Sequence, residues 1–232
     1  MRAEAGAKRA LFPISVSNQA FNTKRVLPAL QAVLSKYTEV VIFIADQLQV
    51  YNKAMQVADG AKLSKIIGEF GVRQDYREQR SKWIQRMTSR MQSCEASRSR
   101  LIGVNDITDL KCFNIFRNVM VAYYSVSRFQ DDVNRSARYY ARNCDQPYSF
   151  DIREQLSRGY LLEEIALNVR LHIIDGIDDE YYMGKQLDVL VNLYNSRYNF
   201  NPFDLAGVLS DGRKIRFFGL RGNDWKEQMP ET

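Results

Sequence analysis

A chain of 232 residues, 45% hydrophobic and 26% charged, suits a soluble globular unit with a substantial core. No apolar run approaches the ~20 residues of a membrane span, and the charged first nine residues lack the apolar stretch of a secretory leader, so a cytoplasmic protein is expected. The net charge of +6 is localised: 62–100 holds ten basic and four acidic residues, an excess equal to the whole, which points to a polyanionic partner docking on one region.

Residues 1–9 read as a flexible tail and 10–232 as a single domain. The run 10–15 suits a short buried strand. In 23–36, Val26, Leu27, Leu30, Val33 and Leu34 recur at helical spacing. The β-branched run 40–45 lacks alternation, as a parallel strand covered on both faces does. Strand, helix and strand make a right-handed βαβ unit. The stretch 73–91 reads as a helix with Tyr76, Trp83, Ile84, Met87 and Met91 on one stripe; Lys82, Arg86 and Arg90 recur on a roughly opposite face, and Arg73, Arg77 and Arg80 crowd its start. A third strand is expected at 101–104, helices at 119–143 and 154–170, and a late strand at 214–220 after the Asp211-Gly212 turn. The class is α/β, a Rossmann-like doubly wound parallel sheet flanked by helices.

A second basic row, Arg128, Arg135, Arg138 and Arg142, joins the first. Either alone is an ordinary solvated face. Together they favour an RNA backbone read by phosphate and shape, since no base-reading module is present. Doubly wound sheets bind ligands at the carboxyl ends of their strands, where Ser15 to Asn18 and Asp46 to Asn52 fall. Ser17 and Asn18 are also natural N-caps for the next helix. No G-x-G-x-x-G, P-loop or G-x-S-x-G motif occurs. Cys94, Cys112 and Cys144 have neither disulfide nor zinc spacing. The single histidine, His172, lies on an apolar run and suits a structural role. No cofactor and no metal are expected.

Ile14-Ser15-Val16-Ser17-Asn18, then Phe21, a helix, and Val41 to Leu48 ending in Ala45-Asp46, resemble the cyclodipeptide synthase family. A basic helix follows in that family and binds tRNA, and a later helix carries Tyr and Glu four residues apart, as Tyr160 and Glu164 are here. The order and rough spacing match over about 10–183. The resemblance implies a class I synthetase-like catalytic domain without ATP-dependent activation; His172 to Asp175 is not the adenylate-binding signature of those synthetases. It implies two successive aminoacyl-tRNA substrates and a cyclic dipeptide product. Ser15 matches the nucleophile that becomes an aminoacyl-serine, with Ser17 the weaker candidate. Tyr160 and Glu164, one helical turn apart, face the same way and could hold the substrate ammonium. Asn18 could bond a carbonyl or amine. The family's late tyrosine corresponds to Tyr182, or else to its neighbour Tyr181. Arg73, Arg77, Arg80, Lys82, Arg86 and Arg90 would hold tRNA. A monomer without membrane attachment is expected.

The sequence departs from that pattern at Pro13, where the family has glycine, and at Ala166, where a proline-like residue is common. A proline cannot donate a backbone hydrogen bond. The departures are closest to the divergent fungal branch that uses arginine as one substrate. Such a substrate needs a carboxylate partner, for which Glu163, Asp175, Asp178 and Asp179 are candidates. A non-catalytic tRNA-binding protein of the same fold, its site decayed at Pro13, is the alternative; a serine acyltransferase or hydrolase acting on another ester is the third.

Overall fold

The computed structural model describes residues 8–15, 21, 23–45, 81–142, 149–184 and 187–220. Five strands form one sheet: β1 (Arg9–Ile14), β2 (Glu39–Ile44), β3 (Ser99–Gly103), β4 (Asp179–Tyr182) and β5 (Arg216–Gly219). All neighbours run parallel, in the order β3-β2-β1-β4-β5. The helices are α1 (Thr23–Leu34), α2 (the helical stretch 81–88), α3 (Ser93–Ser97), α4 (Val104–Ile107), α5 (Leu110–Ser125), α6 (Ser127–Arg142), α7 (Phe150–Val169), α8 (Asp188–Tyr194) and α9 (Pro202–Ala206).

The apolar runs of β1 and β2 are buried because helices cover both faces. On one face Phe12, Ile14, Ile42 and Ile44 pack against Val26, Leu30 and Val33 of α1 and Trp83 and Met87 of α2. On the other, Leu11, Val41 and Phe43 meet Leu167 of α7 and Leu171 just beyond it. A third cluster joins α5, α6 and α7 through Val119, Phe129, Val133 and Ile165. Among the described residues no helix is long and apolar enough to cross a membrane.

The expected helix at 119–143 is two helices that begin earlier. Asp109 caps α5 by accepting the Cys112 N–H at 2.8 Å, and the chain turns extended at Val126 before α6. No glycine or proline marks that break. It lets both helices turn apolar faces onto α7, which one straight rod of that length could not do. The late strand is shorter than expected, and α7 runs into a π-helical turn, Arg170–Ile174, in which the Asp175 N–H reaches back five residues to the Arg170 carbonyl.

β4 was not expected as a strand, since Asp-Glu-Tyr-Tyr looks like a loop. Its acids are buried because each has partners. Arg216 grips Asp179 with Nε and Nη2 at 2.6 and 2.7 Å, and the Tyr37 hydroxyl donates to the same carboxylate at 2.6 Å. The Tyr37 and Tyr181 hydroxyls lie 2.9 Å apart, and Tyr181 stacks on Phe218. Glu180 holds Nε2 of the fully buried His172 at 2.9 Å, while Nδ1 of that ring faces the Ile177 carbonyl at 2.6 Å. His172 is thus a structural residue linking the π-helical turn to β4.

Tyr37→Phe removes the hydroxyl shared by Asp179 and Tyr181. It should lower unfolding stability by about 1.5–3 kcal/mol, the range for a buried bond to a charged group, as read by urea titration. An unchanged midpoint would mean Arg216 alone satisfies Asp179.

Candidate active site

The strand order reverses at β1: β2 follows on one side and β4, reached by the long helical excursion, lies on the other. Ligand sites of such sheets sit at the carboxyl ends of the strands on either side of this switch. Ser15 immediately follows β1 there and is part-buried. Tyr182 ends β4 at the same edge.

Alternation along β4 separates the two candidate tyrosines. Asp179 and Tyr181 point toward Tyr37, beside α1, and are tied up in the network there. Glu180 points to the α7 face, while Tyr182, at the end of the strand, lies against the α1-side cluster and also acts on α7. Tyr182 packs on Phe21, with ring centroids 5.6 Å apart, and its phenol acts electrostatically on Tyr160 of α7. Its ring folds back over Gly184, where a Cβ would lie 2.6 Å from ring carbons and 2.7 Å from the hydroxyl oxygen. Glycine at 184 therefore permits this ring position.

Along α7 the spacing of four places Tyr160, Glu164, Asn168 and, within the π-helical turn, His172 in a polar strip opposite β4. Burial, helped by the Glu180 carboxylate, pushes Glu164 up to about 8. Burial and the charge of Glu164 push the Tyr160 phenol well above its ordinary value. Asn168 donates from Nδ2 to the Glu164 carbonyl at 3.0 Å, and its buried Oδ1 has no hydrogen-bond partner among the described residues. The Glu164 carboxyl is thus largely protonated near neutral pH, and a positive charge beside it would favour its ionisation.

Asn168 and Glu180 were not singled out from the sequence. The four-residue repeat from Tyr160 to His172 was the available signal for Asn168. Glu180 became readable only when β4 proved to be a strand.

The four carboxylates considered for a basic substrate separate cleanly. Glu163 is part-buried and acts electrostatically on both Tyr160 and the buried Cys112 thiol. Asp175 is not brought to the site: Arg170 binds its carboxylate at 2.6 Å and its carbonyl accepts from Arg9 at the start of β1. That is the opposite edge, about 20 Å from Ser15 at the rise of an extended strand. Asp178 lies at that edge too, 3.7 Å from Arg213, and Asp179 already holds Arg216.

Lys82, Arg86 and Arg90 are exposed, and Trp83 and Met87 anchor the opposite side of that segment in the core. In the second basic row, Arg135 pairs with Asp132 and Arg138 with Glu154, so half of that row is occupied within the chain. Ser17, Asn18, Asp46, Asn52, Arg73, Arg77 and Arg80 lie outside the described residues. No cluster able to hold a metal ion occurs among the described residues.

No protein-family model matches the chain, and no curated protein matches it in sequence. Solved structures do. The chain is similar to a cyclodipeptide synthase (CDPS) from Fluoribacter dumoffii at 15% identity, with a TM-score of 0.69, over 90% of this chain and 88% of that one. AlbC, a cyclodipeptide synthase from Streptomyces noursei, is similar at 13% identity and a TM-score of 0.60, over 96% and 98% of the two chains. A Mycobacterium tuberculosis protein, whose structure relates cyclodipeptide synthetases to type I tRNA synthetases, is similar at 12% identity and a TM-score of 0.58, over 93% and 84%. The chain has the cyclodipeptide synthase fold. The resemblance first carried by a few short motifs thus extends to the whole architecture.

A carboxyl group whose folded pKa lies above its unfolded value stabilises the fold only while protonated. The contribution of Glu164 is full below about pH 4.5 and is lost as pH rises through about 8. Glu164→Gln, which cannot ionise, should therefore gain stability on the unsubstituted protein between pH 5 and pH 8, by about 2–4 kcal/mol. Parallel urea titrations at the two pH values read this; a constant difference would place Glu164 in open solvent.

Proposed function

We propose that the chain is a tRNA-dependent cyclodipeptide synthase working through an aminoacyl-serine at Ser15, with arginine as one substrate. The observation that carries this is the shared edge of the sheet: a serine ending β1, at the switch point, beside the carboxyl end of β4 and a helix bearing Tyr160 and Glu164. The fold likeness supports it.

An aminoacyl ester is already activated, so no nucleotide is required. Ser15 Oγ attacks the ester carbonyl, the ester C–O bond breaks, and the tRNA ribose oxygen leaves with the proton. Glu164, ionising next to the substrate ammonium, and Tyr160 hold the amino group. For the serine to carry a dipeptide, the amine of its bound residue must attack the ester of a second aminoacyl-tRNA, whose acyl C–O bond breaks and whose ribose oxygen leaves with the amine's proton. The free amine of that dipeptide then attacks the serine ester, which closes the six-membered ring and returns the proton to Ser15. In this reading Tyr182, whose phenol acts on Tyr160, passes protons in these steps, and Asn18 bonds a carbonyl. The exposed Lys82, Arg86 and Arg90, continuing from Arg73, Arg77 and Arg80, hold the acceptor RNA. Charged tRNA as substrate implies the cytoplasm, and no metal or cofactor enters.

Glu163, part-buried on α7 and acting on Tyr160, is the carboxylate assigned to the arginine guanidinium. Asp175 and Asp179 already hold arginines of the chain, and Asp178 lies at the far edge.

Incubation with a full mixture of charged tRNAs, followed by mass spectrometry, tests the reaction. Cyclic dipeptides should form and should vanish in Ser15→Ala, which keeps its tRNA affinity; tight aminoacyl-tRNA binding with no product would favour a binding protein with a decayed site. Glu163→Gln should cut arginine-containing product about tenfold or more, the loss expected when a charged partner is removed, and leave other products standing. Replacing Lys82, Arg86 and Arg90 by Gln should weaken tRNA binding and flatten its salt dependence by about 0.7–0.9 per lost phosphate contact. An unchanged slope would remove α2 from the interface.

A further inference from the structure

The two flanks of β1 are unequally zipped. β1 pairs with β2 over six positions, Arg9↔Glu39 to Ile14↔Ile44. It pairs with β4 over two, Ala10↔Asp179 and Leu11↔Glu180, although β4 continues to Tyr182 and pairs with β5 along its whole length.

Hydrogen-bond direction explains where the pairing stops. The Lys8 and Ile14 carbonyls accept from Thr38 and Ala45, at the two ends of β2, so even-numbered positions of β1 address β2 and odd-numbered ones address β4. On β4, the Asp178 and Tyr182 carbonyls accept from Arg216 and Leu220 of the β5 strand region, so Asp179, Tyr181 and Met183 address β1. The next two parallel pairs, Phe12↔Tyr181 and Pro13↔Tyr182, would both need an N–H at position 13 bonding to the Tyr181 carbonyl. Proline has none. The following pair, Ile14↔Met183, needs no proline donor, yet it is absent as well. The strands have therefore parted, and Ser15, directly after β1, stands at the mouth of the gap.

We propose that Pro13 is a positioning residue: by withholding one N–H from the β1–β4 ladder it holds the carboxyl ends of these strands apart, and the opening admits the ester carbonyl to Ser15. This rests on the reaction proposed above, and it reverses the reading of Pro13 as a mark of decay. Proline inside a sheet is normally confined to edges or bulges, since it breaks a ladder. In β1 its missing donor faces the one flank where a broken ladder makes room.

Pro13→Val and Pro13→Ala restore the N–H. Both should let the ladder run on toward Met183, so that hydrogen exchange at the position-13 and Met183 amides slows to a protected rate. Single-turnover acylation of Ser15 by aminoacyl-tRNA should slow by about tenfold or more, the loss expected when reacting atoms are kept from the attack geometry, while tRNA affinity holds. Protected amides with undiminished acylation would overturn the proposal. So would slowed acylation without new protection, or a Met183 amide already protected by β1 in the unsubstituted protein, a measurement that needs no variant to fold. Exchange needs no substrate. An unsubstituted chain that never acylates would sink the proposed reaction, and the Met183 amide would still decide whether Pro13 opens the sheet.

Discussion

Parallel strands cannot be joined by tight turns, and the connections must cross over one face or the other. In this chain that constraint sends α1 over one face and the long α5–α6–α7 excursion over the other, so that β1 is left between neighbours reached in opposite senses. The rest of the site depends on this switch. It places Ser15 at the carboxyl edge between the two flanks, and it brings α7 over β4, with Tyr160 acting on Tyr182 and Glu164 on Glu180.

The polar strip on α7 would be unstable against a purely apolar sheet. Its cost is offset by β4, which answers with Glu180 on that face, and by the π-helical turn that carries His172 onto Glu180. The same short strand turns Asp179 and Tyr181 to the other face, where Arg216 and Tyr37 satisfy them. Alternation thus turns Asp179 and Tyr181 to one face and Glu180 to the other.

That division explains what the sequence could and could not reveal. The apolar runs of β1 and β2, the amphipathic spacing of α1 and the Trp83/Met87 stripe beneath exposed Lys82, Arg86 and Arg90 are local patterns, and they were legible. So were Ser15 at a strand end and the Tyr160–Glu164 pair. β4 was not, because its burial depends on an arginine and a histidine distant from it along the chain. For the same reason Asp175 stayed a candidate until Arg170 was seen to hold it. The break at Val126 left no mark either, since the partners that favour two helices over one are spread over α7 and beyond. Likeness at 12–15% identity over nine-tenths of the chain fits this picture: pattern and order are kept while individual side chains change.

The knot of Tyr37, Asp179, Tyr181 and Arg216 fastens the amino end of the sheet, whereas toward the carboxyl end the β1–β4 pairing stops at Leu11↔Glu180. A sheet fastened at one end frays from the other. On warming, the edge bearing Ser15 would loosen while the knot still held the strands in place, so inactivation would run ahead of melting. The thermal ceiling of any chemistry at Ser15 would then be set by the least stitched seam, below that of the fold.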